Sequence, residues 1–146
     1  MSKIIIGIDP DSKAHGVSIY MNNELRHLFN FELLELMQYV EQCTESSDFI
    51  EVHMENVCGM NAVFRQRQKT NQAVNMKMSN SVGKCQQSQI ELERLFVHLD
   101  VKVIKHKISK MWKKDKAQFE KVTGWKGRSN EDTRSAAYFG WLGLNR

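Results

Sequence analysis

The chain has 146 residues, 41% hydrophobic and 26% charged, a balance that excludes a disordered chain and is enough for one domain, residues 1–146, with its own core. The formal net charge is a mild +4, so where the charges lie matters more than their sum. No apolar run approaches the roughly 20 residues of a membrane span, and the N-terminus lacks a signal-peptide core, so a cytoplasmic protein with no membrane partner is expected.

Lys3 to Tyr20, KIIIGIDPDSKAHGVSIY, reads as a strand, a turn and a second strand. Ile4 to Ile8 is apolar except for Gly7, and Pro10 disfavours helix at the residue before it. Asp9 stands at the mouth of the turn. A carboxylate ending an apolar strand is costly to bury unpaired, yet Asp also favours turns, so a site role and a turn role are both open here. Val17 to Tyr20 is the second strand. Met21, Asn22, Asn23 and Glu24 form an Asn-rich hairpin turn, and Leu25 to Phe29 is the third strand.

Asn30 is placed to cap a helix from about Phe31 to Cys43, with Leu33, Leu36, Met37 and Val40 as its apolar stripe. After a polar loop, Phe49 to Met54 alternates as a fourth strand and ends in a second carboxylate, Glu55. His53 reads as an ordinary strand residue rather than a ligand. Val57 to Asn80 has no clean period and carries Arg65, Arg67 and Lys69. From Ser81 to His98, Val82, Cys85, Gln89, Leu92 and Phe96 recur at helical spacing. Val101 to Lys105 is a fifth strand, followed by a helical segment bearing Trp112 and Phe119. Ser129 and Asn130 are placed to cap a last helix, Glu131 to Leu142, whose small Ala136, Gly140 and Gly143 would let it lie close on a sheet.

Three strands in a meander, then alternating helices and strands, make an α/β fold: a mixed five-stranded sheet with helices on both faces. The first strand then lies centrally beside the fourth. Asp9 and Glu55 project together at one end of the sheet, and the last helix brings Glu131 and Asp132 there. Converging carboxylates repel unless a cation joins them, and oxygen-only donors suit Mg²⁺, with Mn²⁺ as substitute. Two such ions are a device for phosphodiester hydrolysis.

The charges are segregated. Glu24 to Glu55 holds eight acids and one base, whereas Val101 to Arg128 holds ten bases against Asp115 and Glu120, which marks that block as a candidate phosphate-binding face. Lys107, Lys110, Lys113, Lys114, Lys126 and Arg128 are its candidate DNA contacts, with Arg65, Arg67 and Lys69 from the unreadable arm. A solvated lysine-rich surface is the plainer account of such a run. Cys43, Cys58 and Cys85 are odd in number and widely spaced, which indicates reduced thiols rather than a disulfide framework or a zinc knuckle.

Ile5–Gly16 (IIGIDPDSKAHG), Ile50–Asn56, Lys114–Gln118 (KDKAQ) and Asn130–Ala137 (NEDTRSAA) occur in this order, and together they resemble the RuvC-type Holliday-junction resolvases of the ribonuclease H and retroviral-integrase superfamily. The resemblance implies a ribonuclease H-like nuclease domain and a Mg²⁺-dependent endonuclease that nicks four-way DNA junctions symmetrically as a homodimer, in the cytoplasm of a bacterial or phage-infected cell. It implies Asp9, Glu55 and Asp132 as catalytic metal ligands, with Glu131 secondary, and Lys116 as a catalytic lysine near the scissile phosphate, with Lys110 as a second. The long helix from Ser81 to His98 is a candidate dimer face, and its pattern equally fits a buried core helix. The family's last helix usually offers two acids three residues apart; here the second place holds Ser135. That departure keeps open a catalytically weak DNA-structure-binding protein. A YqgF-type RNA-processing nuclease is the other alternative within the fold.

Overall fold

The computed structural model describes residues 2–59, 72–107 and 110–144. Strands β1 (Lys3–Asp9), β2 (His15–Met21) and β3 (Glu24–Phe31) are followed by helix α1 (Leu33–Ser46) and strand β4 (Phe49–Glu55). A short 3₁₀ turn (Val57–Gly59) comes next, then helix α2 (Gln72–His98), strand β5 (Lys102–His106) and helices α3 (Lys116–Thr123) and α4 (Glu131–Leu142). The sheet order is β3-β2-β1-β4-β5. β1 pairs antiparallel with β2 and parallel with β4; β2–β3 is antiparallel and β4–β5 parallel. This is the mixed five-stranded sheet expected from the sequence, with β1 at its centre.

The alternation of strand side chains sorts the core into two faces. Ile4, Ile6, Ile8, Val17, Ile19, Val52 and Met54 face one way and pack with Leu36, Val40 and Cys43 of α1 and Leu92 and Phe96 of α2. The opposite face receives α4. There Gly7 and Gly16 have no room for a Cβ against the backbone of α4, and Gly140 and Gly143 fit against Tyr20 and His53 in the same way. Ser18 Oγ donates to the Ala136 carbonyl (2.9 Å) and Tyr20 Oη to the Ala137 carbonyl (2.6 Å), pinning the helix to β2. The small-residue stripe read from the sequence is therefore the seat of α4.

Local chemistry sets the element ends. Asn22 and Asn23 both take positive φ (52° and 71°), the geometry a tight hairpin between right-twisted strands needs. Glu32, not Asn30, caps α1, through a reciprocal box with Glu35. Asn30 is unavailable because β3 pairs with β2 as far as Phe31 opposite His15. α2 starts at Gln72 rather than Ser81; Gln72, Ala73, Met76, Lys77 and Met78 favour helix by intrinsic propensity although they show no apolar period. Trp112 precedes α3 instead of lying on a helix with Phe119. It has φ of 67° and packs with Phe119 and Ala137 in a small second cluster. Asn130 caps α4 as expected, accepting from the Thr133 amide at 2.9 Å. Among the described residues no helix is long and apolar enough to cross a membrane.

Candidate active site

β1 and β4 run side by side in register, Ile8 opposite Met54, so the next positions, Asp9 and Glu55, end the two strands together. Both carboxylates lie on the α4 face and are nearly inaccessible, at 3% and 7% exposure. Asp9 is also paired with Gly16 of β2, and Gly16 lies directly beneath the backbone of Asp132. A side chain at residue 16 would lift the start of α4; without one, the backbone of Asp132 rests on Gly16, the β2 partner of Asp9.

Lys110 Nζ stands between the two carboxylates, 3.4 and 3.5 Å from the Asp9 oxygens and 3.3 Å from Glu55 Oε2. Burial pushes the Asp9 pKa up to about 6, Lys110 opposes that rise, and the charges of Glu55 and Asp132 add to it. The same two carboxylates raise the Lys110 pKa against the lowering effect of its own burial. Ser135 Oγ is wholly buried and has no hydrogen-bond partner of good geometry among the described residues. It is still close enough to Asp9 to draw its pKa down weakly.

The remaining candidates are dispersed. Asp132 is half-buried and reaches Asp9 through its charge, while Glu131 is exposed in the first turn of α4. Among the described residues no three His, Cys, Asp or Glu side chains gather closely enough to hold a metal ion. Lys116 is exposed at the first position of α3 and, among the described residues, forms no ion pair with Asp9 or Glu55. Lys107, Lys114, Lys126 and Arg128 are exposed and Lys113 is half-buried. Arg65, Arg67 and Lys69 lie outside the described residues.

The surroundings brace the two strand ends. Asn56 donates its amide to the His106 carbonyl (2.9 Å), and Gln89 of α2 spans Asn56 Oδ1 (3.1 Å) and the Cys58 amide (3.0 Å). The buried His15 ring accepts the Asp11 amide at Nδ1 (3.1 Å), fixing the turn that follows Asp9. Burial first, then Asp11 and Asp9, push the Cys85 thiol up, which places the flank of α2 within the field of the same carboxylates. His53 is more than an ordinary strand residue. It is fully buried and joins Glu51 Oε1 (2.6 Å) to His106 Nε2 (2.9 Å) in a polar chain on the α4 face.

Arg134 was not singled out by any sequence pattern. Its buried guanidinium donates to the carbonyls of Trp112 (3.1 Å) and Lys113 (2.8 and 3.3 Å) and to Ser129 Oγ (3.0 Å). It thereby binds the loop carrying Lys110 to α4. Position in the fold separates Lys110 from Lys116: Lys110 lies between β5 and α3, at the end of the sheet where Asp9 and Glu55 project, whereas Lys116 opens a helix.

No protein-family model matches the sequence, and none of the curated proteins matches it. The fold is similar to that of T. thermophilus RuvC, solved in complex with a Holliday junction substrate, with a TM-score of 0.52 and 9% identity over 97% of each chain. At that identity the likeness is one of fold, and the architecture of this chain is ribonuclease H-like.

Proposed function

We propose that this chain is a divalent-metal-dependent endonuclease acting on branched DNA, with a four-way junction as its substrate. The observation that carries the reading is the pair of buried carboxylates, Asp9 and Glu55, at the ends of adjacent parallel strands, with the first turn of α4 seated over Gly16, the β2 partner of Asp9. Burying two like charges at one place is costly unless a cation is shared between them.

The donors present are all oxygens, which fits a hard ion such as Mg²⁺, or Mn²⁺ in its place. Asp9 and Glu55 would hold it once Lys110 moves away, with Asp132 completing the set and the buried Ser135 hydroxyl alongside. A second ion would draw on Asp132 and Glu131. When bound, the metal supplies the positive charge that phosphodiester hydrolysis requires. The chain itself binds and orients the substrate: Lys107, Lys113, Lys114, Lys116, Lys126 and Arg128 hold phosphates, and α4 fixes the spacing between acids and backbone. Symmetric cutting in recombination, repair or phage DNA processing would require a homodimer. α2 is its proposed face, where Val97 stands 81% exposed.

Asp9→Asn tests the reading. Junction cleavage in Mg²⁺ should fall by about a thousandfold or more, as for loss of a group acting on the transition state, while junction binding persists. Unchanged cleavage would remove Asp9 from the reaction. A panel of junction, flap, duplex and single-stranded RNA decides the substrate, and a preference for linear RNA would favour an RNA-processing nuclease. Ser135 supports a second reading, a junction-binding protein with weak catalysis, which predicts tight junction binding and little cutting by the unaltered chain.

A further inference from the structure

The two acids already share a cation, and the chain supplies it. We propose that Lys110 is a built-in counter-ion occupying the place of the divalent metal, and that metal binding displaces its ammonium from Asp9 and Glu55. The inference rests on the metal reading above.

Three features carry it. Lys110 Nζ touches both carboxylates, at 3.3 to 3.5 Å, and commits to neither. These contacts are longer than the ~2.7–2.9 Å of a strong ammonium–carboxylate hydrogen bond, so the ammonium is shared and loosely held. The Lys110 side chain keeps 30% of its surface exposed, against 5% and 9% for those of Asp9 and Glu55, so a route to solvent exists for the cation while the acids stay in place. The pivot is rigid. Trp112 is buried among Phe119, Tyr138 and Trp141, and Arg134 clamps the carbonyls of Trp112 and Lys113. A lysine stem is flexible, so the ammonium can leave while the loop remains docked.

The arrangement explains how two buried acids coexist without an ion. Lys110 lowers the Asp9 pKa and offsets much of the repulsion from Glu55 and Asp132. It also sets a threshold, since an incoming divalent ion must outcompete an ammonium tethered at high local concentration.

The experiment uses the full chain and Mg²⁺ alone, without DNA. The Lys110 side-chain NMR signal, assigned by its loss in Lys110→Met, is followed during Mg²⁺ titration. It should shift and saturate together with metal binding measured by calorimetry. In parallel, Lys110→Met at pH 8 should bind Mn²⁺ about tenfold more tightly than the unaltered chain, the competing charge having been removed. Mg²⁺ that binds without moving the Lys110 signal, or Mn²⁺ affinity no higher in the variant, overturns the displacement. Failure of both proteins to bind either ion overturns the metal centre itself.

Discussion

Gly7 of β1 lies directly beneath Ala136 of α4, so close that a methyl group on Gly7 would overlap the Ala136 carbonyl oxygen. The obstacle is helix backbone rather than a movable side chain, so the helix itself must retreat. Gly7→Ala should cost about 3 kcal/mol or more in urea unfolding, at the upper end of overpacking effects. Because Asp132 rides on the same helix, the variant should lose divalent-ion affinity as well.

Two buried groups act on stability in opposite directions as pH changes. Burial holds the His15 pKa below its ordinary 6.5, with the charges of Asp11 and Glu91 opposing. As pH falls below 6.5 the unfolded chain takes up a proton that the folded chain refuses, so stability is lost toward acid. Asp9 is raised from 3.8 to about 6. Between those values the folded chain holds the extra proton, so this contribution weakens the fold as pH rises and is fully unfavourable above 6. Urea unfolding in chelator from pH 4 to 7 separates them. His15→Gln should leave a profile that declines with pH, and Asp9→Asn one that climbs.

Arg134→Met removes the guanidinium donors from the carbonyls of Trp112 and Lys113, leaving Trp112, among the described residues, only the Asp115 amide at 3.3 Å. Losing three charged hydrogen bonds in this way should cost about 2–4 kcal/mol. Amides from Trp112 to Asp115 should exchange faster than those of β1. Equal protection in variant and parent would deny Arg134 its hold on the loop.

Ser135→Asp adds to the buried pair Asp9 and Glu55 a third buried acid, beside Asp9. In chelator the variant should melt well below the parent, an unpaired buried charge costing about 3 kcal/mol or more. In Mn²⁺ most of that deficit should vanish. A deficit of equal size in both buffers would place residue 135 outside the metal's reach.

Junction affinity should fall steeply with salt, since phosphate contacts release counter-ions. Replacing Lys114, Lys126 or Arg128 by Ala should each lower the logarithmic slope by about one. Substitutions that leave the slope unaltered would return those side chains to ordinary solvated surface.

The strand order and the partnership of Asp9 with Glu55 were legible because both depend on short-range pattern: apolar runs, turn residues and an acid at each strand tip. The seat of α4 was legible in Ala136, Gly140 and Gly143, since only small residues allow so close an approach. Other features depend on partners distant in sequence. Asn30 looked like a cap until β2 drew it into the ladder. Trp112 looked helical until the Arg134 clamp held it at positive φ. Lys110 could not be ranked above Lys116 from a run of similar lysines, because what distinguishes it is the end of the sheet it faces. His53 passed for a routine strand residue because Glu51 shares its strand but His106 comes from another.

Most of the chain separates Asp9 from Asp132, and the two come to the same end of the sheet only when α4 settles onto the glycines of β1 and β2. That same docking closes one face of the core. Contacts so remote in sequence form late and slowly. A nascent or partly unfolded chain therefore lacks the assembled acids for the same reason that it lacks a closed core. On the proposed nuclease reading, competence and native structure are acquired in one event, and no half-folded form capable of cutting DNA should exist.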